Sequence, residues 1–241
     1  MNAGLYSAVS GGISALTRLD AITNNLANAS TPGFKAERLV QRAEHVGTAP
    51  PSDTTIETPI TRGTLETDFT QGPIEATGNP LDIAVSGPGF LVVDGPQGER
   101  LTRRGNFALD TEGYLTTSDG ARVQGDSGDI HIGNGPVTIG SDGTVRSADQ
   151  SVGKLKVVTV ADPANLAREG GTTFAAGSQA LTDADPTETR VLQGSIEGAN
   201  LSPVENLVAL IDTMRGFEAY MQAAQKLDQV TGKAISDVGK V

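Results

Sequence analysis

The sequence predicts an α+β fold in which an N-terminal and a C-terminal helix flank a central, mostly antiparallel β domain. Three observations predict it. Leu5, Gly12, Leu19 and Leu26 recur every seven residues, with Val9, Leu16 and Ile22 thickening the same stripe. Leu207, Leu210, Met214, Phe217, Met221, Ala224, Leu227 and Val230 step by three and four at the other end. Between them lie short β-branched runs punctuated by Asp-Gly and Asn-Gly turns. The first two patterns have the period of an amphipathic helix, and the third has that of hairpins. A helical stripe needs a surface to bury against, so two terminal helices pack against each other or against copies of themselves.

The first helix is expected from Asn2, an N-cap residue, to about Ala29, roughly 40 Å at ~1.5 Å per residue. Ser30-Thr31-Pro32-Gly33 stops it, because Pro lacks the N–H and Gly tolerates positive φ. Asn24, Asn25 and Asn28 weaken its last turns. Residues 35–79 are polar and interrupted by Pro50, Pro51, Pro59 and Pro73, and read as an extended arm with short strands such as Thr64 to Asp68. From Leu81 strands and turns alternate: Phe90 to Val93, Leu101 to Arg103, Phe107 to Leu109, Tyr114 to Thr116, then Leu155 to Val160, Thr172 to Ala175 and Arg190 to Ile196. A short helical turn is expected over Ala164 to Glu169. The last helix starts with Ser202 as N-cap and Pro203 at its first position, and runs to about Val238 with Gly216 and Gly232 as weak points.

Composition narrows the function. Net charge is −11, from 29 acidic and 18 basic residues. Such a surface repels phosphate backbones and anionic lipid heads, which argues against nucleic acid and membrane-surface partners. Cysteine is absent, which removes disulfides, thiolate metal sites and cysteine nucleophiles. The first thirty residues lack the basic and apolar regions of a cleaved leader, and no stretch suits a membrane span.

Catalytic chemistry finds no foothold in the pattern. His45 and His131 stand in separate segments with no carboxylates at metal-ligand spacing. His131, between Ile130 and Ile132, reads as a solvent-facing strand residue. The run Ser86-Gly87-Pro88-Gly89-Phe90 precedes a strand rather than opening a helix, so it is a tight turn rather than a phosphate loop. Gly125-Asp126-Ser127-Gly128-Asp129 lacks the spacing of a calcium loop and reads as a hairpin turn. No catalytic, cofactor or metal residue is assigned. A helix in water is stabilised mainly by packing, so stripes at both chain ends favour inter-subunit contact over a purely internal capping role.

Four ordered stretches carry a resemblance. They are Asn24-Asn25-Leu26-Ala27-Asn28-Ala29-Ser30-Thr31-Pro32-Gly33-Phe34-Lys35 and Gly87-Pro88-Gly89-Phe90-Leu91-Val92-Val93. The third runs from Thr102-Arg103-Arg104-Gly105-Asn106-Phe107 through Gly113-Tyr114-Leu115 to Gly120 to Gly125. The fourth comprises Gln193-Gly194, Glu197-Gly198, Asn200, Pro203 to Val208 and Arg215 to Glu218. Together they resemble the signatures of bacterial flagellar rod and hook proteins, and the short length is most like the proximal rod branch of that family. The resemblance implies a non-enzymatic axial subunit of the flagellar basal-body rod without cofactor, transmitting torque from motor to hook. It implies export without a cleaved leader by the flagellar type III apparatus, and partners among other rod proteins and copies of itself. It further implies that residues 1–34 and 200–241 form a coiled-coil layer, 80–185 an outer β domain, and 35–79 and 186–199 the connectors. On that basis Leu5, Val9, Leu16, Leu19 and Leu26 are expected to pack with Leu207, Ile211, Met214, Met221 and Leu227 and with neighbouring copies. A distal rod or hook-family protein is the near alternative; a calcium-stabilised β adhesin and a β-domain hydrolase are the distant ones.

Overall fold

The computed structural model describes residues 3–44, 60–95, 98–133, 135–148 and 150–238. His45, Pro50, Pro51, Pro59 and Asn134 lie outside the described residues. The chain forms two units, one of residues 1–27, 37–67 and 202–241 and the other of residues 28–36 and 68–201.

The first unit contains helix α1 (Ala3–Ala27), strands β1 (Glu37–Glu44) and β2 (Ile60–Thr67), and helix α2 (Pro203–Val238). Helix α1 ends two residues before Ala29, within the soft asparagine stretch. Its end is anchored by a side chain: Asn25, buried, donates from Nδ2 to the Glu37 carbonyl at 2.7 Å and accepts from the Glu37 N–H at 2.9 Å. One amide side chain thus mimics a backbone bridge and joins the helix to β1, which explains why a poor helix former stands there. Strands β1 and β2 form an eight-residue antiparallel ribbon, Glu37 opposite Thr67 through Glu44 opposite Ile60. Helix α2 begins where proline and a capping serine require: the Glu205 N–H reaches Ser202 Oγ at 3.4 Å, and Pro203 occupies the first turn without wasting a donor.

The second unit is a β domain in which every pairing between strands is antiparallel among the described residues. Strand β3 is Ile74–Ala76, β4 Ile83–Ser86, β5 Phe90–Gly95 and β6 Gly98–Thr102. Strand β5 is the spine. It pairs with β6 on one side and with residues 122–125 and 157–158 on the other. Its run Phe-Leu-Val-Val is apolar at every position because both of its faces are covered. Leu91 and Val93 enter a core with Ile83, Val85, Phe107, Leu115, Val123 and Leu155. Phe90 and Val92 enter a second core with Leu101, Val158, Leu166 and Phe174. Phe69, Phe90 and Phe174 meet edge to face there, with ring centroids 5.0–6.3 Å apart.

Three features differ from the periodic reading. The run expected as one strand, Arg190 to Ile196, is two: residues 190–193 pair with β4 and residues 195–197 pair with β3. Gly194 between them has φ +70°, which turns the chain from one partner to the next. The strand expected from Leu155 begins at Val157, because Leu155 makes only an isolated bridge with Gly125. The short turn after Asp162 is a 3-10 helix over Pro163–Asn165, capped by the Asp162 side chain, and is shorter than expected. Gly87 and Gly89 carry φ +102° and +141°, as befits a tight turn that delivers Phe90 to the core.

Candidate assembly surface and the buried charge cluster

Helices α1 and α2 run antiparallel against one another, and the contact is made by small residues. A methyl group added at Gly11 would stand 2.4 Å from the Tyr220 ring, and Leu227 lies over Gly4. Phe217 and the Tyr220 Cβ come nearest to Gly12. Ala8, Ala15 and Thr213 are buried. Removing side-chain bulk lets the helix backbones approach closely, and the ring of Tyr220 fills the space that Gly11 leaves.

A second set of large apolar residues points elsewhere. On α1, Tyr6, Val9, Ile13 and Leu16 are between 45% and 71% exposed. On α2, Val204, Leu207, Val208, Ile211, Met214 and Met221 are between 45% and 70% exposed. Successive residues rotate by about 100° around a helix. On that wheel Tyr6, Val9, Ile13 and Leu16 lie roughly opposite the Gly4, Ala8, Gly11 and Ala15 face. Val204, Leu207, Val208, Ile211 and Met214 lie roughly opposite the Thr213 and Phe217 face. Each helix therefore carries two apolar faces, one used within the chain and one bare.

Of the residues expected at the seam, Val9, Leu16, Leu207, Ile211, Met214, Met221 and Leu227 are exposed by 38–51%, and Leu19 and Leu26 are half-buried. The Leu5 side chain lies outside the described residues. The heptad of Leu5, Gly12, Leu19 and Leu26 takes Gly12 as one member of an apolar stripe and passes over Gly4, Ala8, Gly11 and Ala15. Their spacing of three and four is the signal that could have found the small-residue contact.

A second site lies in the β unit and was not anticipated. Lys35 and Glu197 are fully buried, and Arg103 nearly so. Lys35 Nζ stands 2.6 Å from Glu197 Oε1 and donates to the Thr70 carbonyl at 2.7 Å. Glu197 Oε1 also accepts from the Gly72 N–H at 2.9 Å, and its Oε2 lies 3.3 Å from Arg103. Arg103 donates further to the Val85 and Gly87 carbonyls, while its Nε has no hydrogen-bond partner among the described residues. Burial pushes the Lys35 amine below its ordinary range, and Glu197 pulls it back by attraction and a hydrogen bond. Burial likewise lowers the Arg103 guanidinium. Two cations share one carboxylate in a dry site, so each bond there is expensive to lose. Asn200 closes the cluster, accepting from the Ala36 N–H at 2.7 Å and donating to the Asp68 carbonyl at 2.7 Å. Arg168 stacks over Phe34 and Phe174 beside it.

No group of His, Cys, Asp and Glu with metal-site geometry occurs among the described residues. His131 is exposed, stacks edge to face on Tyr114 and shares a 2.9 Å hydrogen bond with the Glu112 carbonyl. No helix among the described residues is long and apolar enough to cross a membrane.

Three family profiles match the chain. The "Flagella basal body rod protein" profile matches residues 5–35, the "Flagellar hook protein FlgE/F/G D1 domain" residues 84–147, and the "Flagellar basal body rod FlgEFG protein C-terminal" residues 192–237. Among individual proteins, the chain is 33% identical over 257 residues to the flagellar basal-body rod protein FlgF of Caulobacter vibrioides, covering 100% of both. It is 33% identical over 250 residues to FlgF of Salmonella typhimurium, covering 97% of each. To the rod protein FlgG of Bacillus subtilis it is 28% identical over 257 residues, covering 96% of this chain and 97% of the relative.

Proposed function

Because this chain belongs to the flagellar basal-body rod protein family, is most like FlgF and is a structural subunit of the rod, we propose that it assembles through the bare faces of its terminal helices. The observation that carries this reading is the placement of those faces. A closed dimer needs one sticky patch that meets its own copy across a two-fold axis. This helix pair has two unlike patches on opposite sides, Tyr6, Val9, Ile13 and Leu16 on one and Val204, Leu207, Val208, Ile211 and Met214 on the other. Unlike patches join head to tail, which propagates a ring or a helical tube. Single exposed apolar residues are ordinary on a protein surface, but two stripes of this length are not.

In this reading other rod components and copies of the chain cover the stripes, and the subunit belongs to the basal body. Terminal helices form the coiled-coil inner layer, the flagellar type III apparatus delivers the chain without a cleaved leader, and the packed seams transmit torque without chemistry. Leu19 and Leu26, half-buried, lie on the Ala8 and Ala15 side of α1, and Leu227 packs over Gly4, so these three serve the contact within the chain, while Met221 continues the bare stripe of α2.

Replacement of Ile13 or Met214 by Asp tests the proposal, since these side chains are 59% and 49% exposed and their loss leaves the monomer intact. Either variant should fail to complete a rod in basal bodies viewed by electron microscopy and should abolish swimming, with the thermal transition of the β unit unmoved. Normal rods in both variants would refute assembly through these faces.

A further inference from the structure

The chain passes between its two units four times, after residues 27, 36, 67 and 201. On the β-unit side, three of these crossings are tied to one another by the buried cluster. The Asp68 N–H donates to the Ala36 carbonyl at 2.8 Å, Ala36 donates to Asn200 Oδ1, and Asn200 Nδ2 donates to the Asp68 carbonyl. Behind this ring of bonds, Lys35 bonds Thr70, Glu197 bonds Gly72, and the Gly33 N–H donates to the Glu197 carbonyl at 2.7 Å. Segments 33–36, 68–72 and 197–200 are thereby bolted together by one ammonium, one carboxylate and one carboxamide. The alternative tie, the three-residue pairing of β3 with residues 195–197, has β3 exposed along its whole length.

We propose that Lys35, Glu197 and Asn200 are positioning residues for load transfer in the rod: they make the crossings move as one body, so that force on any of them is shared by all. This rests on the rod reading above. An exposed three-residue ladder under tension breaks one bond at a time. A buried ionic cluster must instead lose several charge-assisted bonds at once, with each group left unsolvated as it parts. The cluster sits where the chain leaves the β unit, which is where a subunit that carries torque between its parts needs stiffness.

Mechanical and purely stabilising roles separate in the full-length protein. Lys35→Met takes from buried Glu197 the nearer of its two cations, leaving only the longer Arg103 contact, and should lower the melting temperature by about 10 °C. The triple variant Lys35→Met, Arg103→Met and Glu197→Leu removes all three buried charges and should recover most of that loss, because apolar replacement of a whole buried ionic group is commonly neutral. Introduced into cells, the triple variant should swim at wild-type speed in dilute medium and shed flagella with attached hooks at least threefold more often in viscous medium. In the purified triple variant, amide exchange at Asp68, Gly72 and Asn200 should quicken at least tenfold despite the restored melting temperature. Wild-type shedding at every viscosity, or unchanged exchange at those three amides, would overturn the proposal. A strain lacking the chain that still builds rods would instead refute the rod reading itself.

Discussion

At the scale of single residues, aspartates at turns and glycines at close approaches set the β unit. Asp110 accepts the N–H groups of Glu112 and Tyr114, each at 2.9 Å. The Tyr114 bond above all, with those of Glu112 and Gly113 and the charge of Arg122, holds its carboxyl below the ordinary carboxylate range. Asp142 and Asp185 are lowered in the same way, chiefly by Thr144 and Thr187. A carboxylate whose pKa falls on folding contributes stability that is complete above its unfolded pKa and lost as pH drops through the folded one. Asp110→Ala should therefore lower the melting temperature by about 2 °C at neutral pH. The gap should narrow steadily in melts taken to lower pH, as the folded carboxyl takes up its proton in turn. Gly105 shows the steric counterpart: a methyl there would stand 1.5 Å from the Ile83 carbonyl oxygen. Gly105→Ala should cost about 2–4 kcal/mol in urea unfolding of the full chain.

At the scale of elements, the two helices divide their work by side-chain size. Glycine and alanine of α1 receive Phe217, Tyr220 and Leu227 of α2, while Val9, Ile13, Leu16, Leu207, Ile211 and Met214 stay at the surface. Gly11→Leu should therefore separate the helices inside one molecule, read as faster amide exchange over Ala3–Ala27 with β5 still protected. The same substitution placed at an outward position, Ile13→Leu, should change neither. Strand β5 makes the opposite use of side chains, burying Phe90, Leu91, Val92 and Val93 alternately in two cores. Leu91→Ala should cost about 2–5 kcal/mol by equilibrium unfolding, since it empties a wholly buried site.

At the scale of the whole molecule, a β unit and a helix-hairpin unit are built from interleaved stretches of one chain. Local patterns declared much of this. Ser202 and Pro203 placed the start of α2, the apolar run at Phe90 placed β5, and the glycine turns placed the hairpins around it, because capping, alternation and turn chemistry act over a few residues. The four ordered signatures placed the family. What periodicity could not show was the destination of each face. Leu16 and Met214 read as seam residues, yet the contact within the chain goes to Gly11 and Tyr220, since a wheel displays an apolar face without saying what covers it. Nor could any window on the sequence bring Lys35 to Glu197, 162 residues away, beside Arg103. Each of the three reads as a solvated charge among neighbours in sequence. By itself, then, the sequence determined helices, strands, turns and kinship, all of which rest on nearby residues. Tertiary structure alone decided which apolar faces stay bare and which charges are sealed together, because burial depends on segments that meet only after the chain has folded.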